Sequence, residues 1–527
     1  MNRGGLARLV SGVGVAAVMA AAVATAQVLP PPVVTARDPS VLSVPAPITS
    51  VVCPGPVRLL TGSDASPDLT YDPAFARAPA GSSSVARGVT LSSSADGVAG
   101  VAGVAEWHPV GTGAGTQLAP RDAESAVIAE SKLAGAFVLT GAPTGRDPAV
   151  VGAAVATTTP AGDLRGLAAA SCAHPGTDLW LVGGSTELGS SARLVMQNAG
   201  ATAATVTIEM WGANGPLTIA GPGDFLVPPG TERAVLLEGL AAEQHAIAVH
   251  LRATGGSIAA YLQDGALRGY QASGIDLVVP GSAPATLQSI AGVALAAPRV
   301  PEVPNVVRLL APGVADARAS LTFLGPDGAI DLPGVNPVEL AAGVVTDVTL
   351  DDLPDGAYTV IVDSTAPVVA SAMVVRAGAD PAGPIDRAWA SASAASAGGL
   401  IALPPGPDAA IVIGSTASPS SADVGPATGV LRLVGSHGGT LRTLPVSVPV
   451  GSTIALRAAD LAPAGGLAAV ELVPDPGSSL VLAALLTSVL PDGGTAISIL
   501  ASTLPVQLTG DVTVRDDPTT GLRPASG

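Results

Sequence analysis

The sequence predicts an all-β protein made of tandem Ig-like or fibronectin-like β-sandwich modules. Three observations carry that prediction. Gly and Pro number 64 and 48 among 527 residues, and they punctuate short apolar runs without any collagen period. Aromatic residues make up only 2% of the chain, so its cores must be built of Val, Leu, Ala and Ile, whose β-branched members suit a pleated, half-buried surface. The third observation is a repeat.

"VPPGTERAVLLEGLAAEQHAIAVHL" (Val227–Leu251), "LAAGVVTDVTLDDLPDGAYTVIVDS" (Leu340–Ser364) and "VPVGSTIALRAADLAPAGGLAAVEL" (Val448–Leu472) align without a gap up to their second strand. Gly230, Gly343 and Gly451 are each followed five residues on by Val235, Val348 and Leu456, and ten on by Leu240, Leu353 and Leu461. A turn glycine opens a short strand, a leucine ends it, and a second strand returns after a short loop. The glycines lie 113 and 108 residues apart, a sandwich-sized period. Propeller blades repeat every 40–50 residues or so, less than half of this. "LAPRDAESAVIAESKLAGAFVLTG" (Leu118–Gly141) is a degenerate first copy in which Arg121 replaces the glycine.

The chain then divides as follows. Residues 1–28 are a signal peptide or an N-terminal membrane anchor, and 29–48 a Pro-rich spacer. Four modules cover 49–175, 176–300, 301–400 and 401–510, with Pro-rich joints near Ala297–Pro304 and Leu403–Pro407. Residues 511–527 are a polar, flexible tail. In the first segment Arg3 and Arg8 precede an uncharged run, and Ala24-Thr25-Ala26 supplies a small-x-small site with cleavage after Ala26. Uncut, Leu9–Leu29 is long enough to span a bilayer. Either outcome puts the bulk of the chain outside the cell, as a secreted or surface-anchored protein.

A net charge of −17 repels phosphate backbones and argues against nucleic acid as a partner. Export makes a disulfide the expected fate of the two cysteines, Cys53 and Cys172. It would close a loop of about 120 residues, worth about 4–5 kcal/mol in the chain-entropy model. The competing roles are a nucleophile or a thiolate ligand. Cys53 has no histidine within fifty residues of sequence, and Cys172 with His174 lacks the rest of a zinc set.

His108, His174, His245, His250 and His437 are scattered through the modules and read as exposed or capping residues, with His245 and His250 on opposite faces of one strand. No G-x-S-x-G elbow occurs, and the Gly/Ser-rich Val182–Ser191 lacks a P-loop lysine. The triplets at Pro326, Pro354 and Pro491 offer one carboxylate each and read as turns rather than calcium loops. The scarcity of aromatics weighs against a glycosidase or a lectin, and Trp107, Trp180, Trp211 and Trp389 read as core residues or inter-module wedges. The expected catalytic, metal and cofactor sets are therefore empty.

"SCAHPGTDLWLVGG" followed by "LVMQNAGATAATVTIEMWGANG" combines a Cys-x-x-Pro-Gly segment, a Trp180–Gly184 strand and an Asn198–Gly200 turn before a Thr/Val strand. This pattern resembles a family of exported or membrane-anchored actinobacterial proteins of unknown function, most closely between Cys172 and Gly274. The resemblance implies a cell-envelope location and no established catalytic residue. The expected function is a non-enzymatic envelope scaffold or binding module whose partner is an envelope protein or glycan, with a possible membrane tether through the N-terminal segment. The alternatives are an accessory subunit of an envelope polysaccharide or protein assembly, or an enzyme with a site between modules.

Overall fold

A computed structural model of the chain describes residues 40–43, 46–58, 81–91, 104–111, 113, 115–118, 125–143, 148–332, 335–394, 398–416, 425–462, 466–504 and 511–514. Two compact units emerge, 46–508 and a small one of 1–45 with 509–527. In the small unit Ser40–Ser43 pairs antiparallel with Asp511–Val514, Leu42 opposite Val512. This corrects the spacer and the tail assigned from sequence: each contributes a strand, because Val41-Leu42 and Val512-Thr513-Val514 are short β-formers that pair with one another. Ala26 and the Leu9–Leu29 segment lie outside the described residues. Among the described residues no helix is long and apolar enough to cross a membrane.

The large unit is nearly all β, in four modules of one topology. The second module shows it most plainly. Its eight main strands run Asp178–Val182, Ser190–Asn198, Ala204–Gly212, Asp224–Val227, Thr231–Leu236, Ile247–Thr254, Ala259–Arg268 and Gln271–Val278, and a two-residue strand, Gly215–Pro216, pairs with the end of the third. The first, sixth, third and fourth form one antiparallel sheet, and the fifth, second, seventh and eighth form the other. Alternation along each strand sends one face inward. In Ala204–Gly212, Ala204, Val206, Ile208 and Met210 are buried while Thr205 is exposed.

The first module follows the same order, with Thr49–Cys53, Phe137–Gly141, Ala105–Pro109 and Thr116–Leu118 facing Ser125–Glu130, Ser83–Leu91, Val150–Thr159 and Gly166–Ser171. The degenerate repeat copy thus supplies its fifth and sixth strands. The fourth module repeats the pattern from Gly399–Ala402 to Thr495–Ala501. In the third, the sixth and seventh strands fuse into one 22-residue strand, Gly356–Ala377, that pairs with Ala285–Leu295 and Ala317–Gly325 in one sheet and with Val306–Leu310 and Ile385–Ser391 in the other.

Two boundaries differ from the sequence expectation. Ala285–Leu295, assigned from sequence to 176–300, pairs with Gly356–Ala377 and is the first strand of the third module. Gly399–Ala402, split by the 400/401 division, is the first strand of the fourth. The Pro-rich segments near Pro301 and Pro404 are therefore loops between the first and second strands of their modules. Proline stops a strand wherever its lost N–H would leave the ladder, within a module as readily as between two.

The repeat marks the turn between the fourth and fifth strands. Gly230, Gly343 and Gly451 have φ of 65°, 74° and 69°, the left-handed region that glycine enters without cost. After the fifth strand the repeat leucine closes a single helical turn, Leu237–Leu240 in the second module and Ala458–Leu461 in the fourth.

The modules are packed into a closed ring. Each main core cluster joins neighbours: Val51 and Phe137 with Tyr261 and Leu277, Ile208 and Leu251 with Met373 and Trp389, Val360 and Val374 with Val481 and Ile499, and Leu431 and Leu482 with Leu91 and Leu167. The last of these joins the fourth module back to the first. At the centre the four eighth strands pack side by side. Gln271–Val278 and Thr495–Ala501 each lie against both Gly166–Ser171 and Ile385–Ser391.

Candidate functional site

Three buried aspartates occupy the ring centre. Asp386 of the third module accepts the backbone N–H of Leu167 at 3.0 Å, Ile275 at 3.3 Å and Ile497 at 2.9 Å, one from each of the other modules. Asp276 accepts the Trp389 N–H at 2.6 Å and the Ser498 hydroxyl at 2.6 Å, while Ser498 Oγ accepts the Ala169 N–H at 3.0 Å. Asp264 receives Arg387 Nη2 at 2.7 Å and Trp389 Nε1 at 2.8 Å. Burial pushes the Asp386 carboxyl up to about 7 despite the N–H groups that pull it down, and raises Asp276 well above its ordinary range. All three carboxylates are fully inaccessible. Their chemistry is to hold the modules together.

The disulfide lies in the core shared by the first two modules. It joins Cys53, at the end of that module's first strand, to Cys172, just after its eighth. Beside it Val52 and Ala173 exchange backbone hydrogen bonds. The same corner is closed by Trp180 with Gly281, Ser289 with Ser393 and Leu400 with Thr503 in the later modules. All four modules therefore share this backbone bridge, and the first adds a covalent link beside it. His174 is tied to the Ser50 and Leu504 carbonyls at 2.8 and 3.2 Å rather than paired with Cys172 as a ligand. Among the described residues no cluster of three His, Cys, Asp or Glu side chains is placed to hold a metal.

Among the described residues, concavities lie at two of the module joints. The smaller, about 180 Å³, sits between the first and second modules, lined by Arg58, Arg193, Glu232 and Tyr261. It is below the ~300–1,000 Å³ usual for ligand sites. The larger, about 470 Å³, falls within that range and lies between the second and third modules.

Its floor is the outer face of a sheet. In Asp178–Val182, Ala204–Gly212 and Ile247–Thr254 the residues Leu181, Met210, Val249 and Leu251 point into the sandwich. Trp180, Glu209, Trp211, His250 and Arg252 take the alternate positions and face the joint. Trp180 and His250 are directly cross-strand and stack at 4.0 Å and 9°, and Trp180 stacks on Trp211 at 5.3 Å and 28°. His250 Nδ1 lies 2.8 Å from Glu209 Oε2, and Nε2 3.2 Å from Asp178 Oδ1. Both ring nitrogens are occupied, and the ring is 3% exposed. The third module supplies the opposite wall through Pro312, Val314 and Pro367.

His250 is thus buried and partnered by side chains, neither exposed nor capping as the sequence predicts. His245 precedes the strand instead of sharing it. The absence of a metal-binding frame in the sequence says nothing about burial. The signal that could have found this site is the alternation itself: bulky aromatic and charged residues on three strands, out of phase with their apolar period.

A family model described as a family of unknown function, DUF5719, matches residues 127–459. No curated protein matches the chain. A solved structure titled "Biofilm associated protein - BSP domain" is similar over 88% of this chain and 97% of that one, at 10% identity and a TM-score of 0.12.

Proposed function

Taking as premise that the chain belongs to DUF5719, a family without an assigned function, we propose that it is a non-catalytic, exported scaffold of the cell envelope that binds its partner in the cleft between the second and third modules. The cleft carries this reading: it is a hollow of ligand size, lined by the half-buried Trp211, the exposed Arg252 and Val314, and Pro312 and Pro367, on a ring whose modules are locked by buried hydrogen bonds. A locked ring offers a preformed surface, and little binding energy is lost to ordering it. The disulfide fits an oxidising compartment. His250 lacks a free nitrogen to act as a base, and the buried aspartates have no access to a substrate, which supports binding over catalysis.

The test is crosslinking in the host with a photoreactive residue in place of Val314, fully exposed on the cleft wall. Capture of envelope material that is lost when Trp211→Ala is added supports the reading. Capture unaffected by Trp211→Ala, or none at all, would reject it. A single stoichiometric membrane protein as the captured species would favour an accessory subunit of an envelope assembly over a free-standing scaffold.

A further inference from the structure

We propose that the smaller cavity, at the joint of the first and second modules, binds a monovalent carboxylate, with the guanidiniums of Arg58 and Arg193 and the Tyr261 hydroxyl as its donors. It shares no residue with the cleft between the second and third modules.

Both modules build the cavity. In Ser190–Asn198 the residues Leu194 and Met196 point into the second module's sandwich, so Arg193, Val195 and Gln197 face the joint. Tyr261 lies directly opposite Val195, and Glu232 opposite Gln197, on the strands to either side. The facing wall is Gly55, Pro56 and Arg58, just after Cys53, together with Gly135. Two buried glutamines of the second module hold this wall. Gln197 Nε2 donates to the Cys53 carbonyl at 3.2 Å. Gln263 accepts the Arg58 N–H at 3.0 Å and donates to the Arg58 carbonyl at 2.8 Å. Arg58 and Glu232 are exposed, so the cavity opens to solvent between them.

The walls present an excess of donors. Arg193 Nε is buried and has no hydrogen-bond partner among the described residues, and such an orphan keeps its desolvation penalty until an acceptor fills it. Arg58 uses Nη2 on the Ala134 carbonyl at 2.9 Å, one of a guanidinium's several donors. Burial pushes the Tyr261 hydroxyl up, so it stays protonated, with Glu232, Arg193 and Arg58 the charged groups around it. Glu232, the carboxylate on the lining, is already engaged by Gln197 Nε2 at 2.7 Å. Two guanidiniums against one carboxylate leave a single positive charge in excess, on a chain of net charge −17. A monovalent anion neutralises that excess and a divalent one overshoots it. A planar carboxylate also matches the guanidinium fork. Size agrees with the charge. At ~30 Å³ for each water, about 180 Å³ takes a carboxylate on a short stem and excludes a large ligand.

The experiment titrates the full protein at constant ionic strength with acetate, inorganic phosphate, and tetra-alanine with a free or an amidated C-terminus, by calorimetry and thermal shift. Saturable binding of acetate or free tetra-alanine is expected, weakened at least tenfold in Arg193→Met and several-fold in Tyr261→Phe. Acetate binding without tetra-alanine assigns a free small acid, and tetra-alanine binding lost on amidation assigns a chain end. Without ligand, Arg193→Met should keep or raise the thermal midpoint, because it removes an unpaired buried donor. If the midpoint falls instead, Tyr261→Phe decides, and binding that it leaves unchanged overturns the proposal. Absence of saturable binding by both carboxylates would also overturn it, as would binding that survives Arg193→Met. Phosphate bound more tightly than either carboxylate, or tetra-alanine indifferent to amidation, would count equally against it.

Discussion

Asp386 and Leu167 are joined by a 3.0 Å hydrogen bond across 219 residues of sequence, the carboxylate of the third module accepting the backbone N–H of the first. Ile275 and Ile497 stand at the corresponding place in their own eighth strands and donate to the same carboxyl. One side chain therefore satisfies backbone groups from every other module, groups that the packing of four strands around an axis would otherwise leave buried and unpaired. Removing one partner of such a buried network costs more than the net worth of the bonds, because the orphaned donors keep their desolvation penalty.

Asp386→Ala is accordingly expected to destabilise the ring, at about 1–3 kcal/mol for each buried N–H left without a partner. Denaturant midpoints measure the loss. Amide exchange should accelerate at Leu167, Ile275 and Ile497 together, and acceleration confined to the third module would contradict the role assigned to Asp386.

The pH dependence follows from the same carboxyls. Asp386 titrates at about 7 in the folded protein, against about 3.9 for an unfolded aspartate. Between these values the folded state binds the extra proton, so stability falls as pH rises from about 4 to 7 and levels off above. Asp276 is shifted in the same direction. Asp492 and Asp355 are lowered, the first by its hydrogen bonds from Arg165 and the second by the Ala297 N–H, and their contribution is lost as pH drops below about 4. The thermal midpoint should thus peak near pH 4–5, and the fall from 4 to 7 should be shallower in Asp386→Asn. A flat profile across that interval in the native protein would refute the assignment.

Ion pairs of equal geometry should differ by burial. Arg165 donates to both oxygens of Asp492 at 2.7 and 2.9 Å, linking the first and fourth modules, and its side chain is 6% exposed. Asp492→Ala leaves that guanidinium unpaired and should cost about 1–3 kcal/mol. Arg457 and Asp460 pair at 2.8 and 2.9 Å on the surface, 77% and 58% exposed. Asp460→Ala should leave the melting temperature unchanged, since water solvates both groups.

Reduction of Cys53–Cys172, 119 residues apart, should lower stability by up to about 4–5 kcal/mol through the freed entropy of the unfolded chain. Calorimetry with and without reductant measures it. Because the link lies within the first module, exchange should quicken first in its strands, while the Ala372 and Leu472 amides stay protected.

Gly343→Val should loosen the joint that carries the cleft. Its φ is 74°, and a Cβ there would meet Pro216 of the second module at 3.2 Å with Trp211 at 3.6 Å. Strain at φ > 0 costs a β-branched residue about 1–3 kcal/mol. The readout is a red-shifted Trp emission with a lower thermal midpoint, where a purely local defect would leave the emission unmoved.

The β class, the sandwich-sized repeat and the cysteine pair are legible in the sequence. Each is written in short-range terms: alternation of period 2, a glycine at a turn needing positive φ, and two cysteines without other partners. Prolines at Pro301 and Pro404 misplaced the boundaries because a turn signal records where a strand stops and not which sheet it leaves. The tertiary structure alone decided that the modules close into a ring, that Asp386 collects N–H groups from three other modules, and that Trp180, Trp211 and His250 meet in one cleft. Those relationships join residues tens to hundreds of positions apart, and the register of strands brought together by packing sets them. No local periodicity encodes which outward faces will meet.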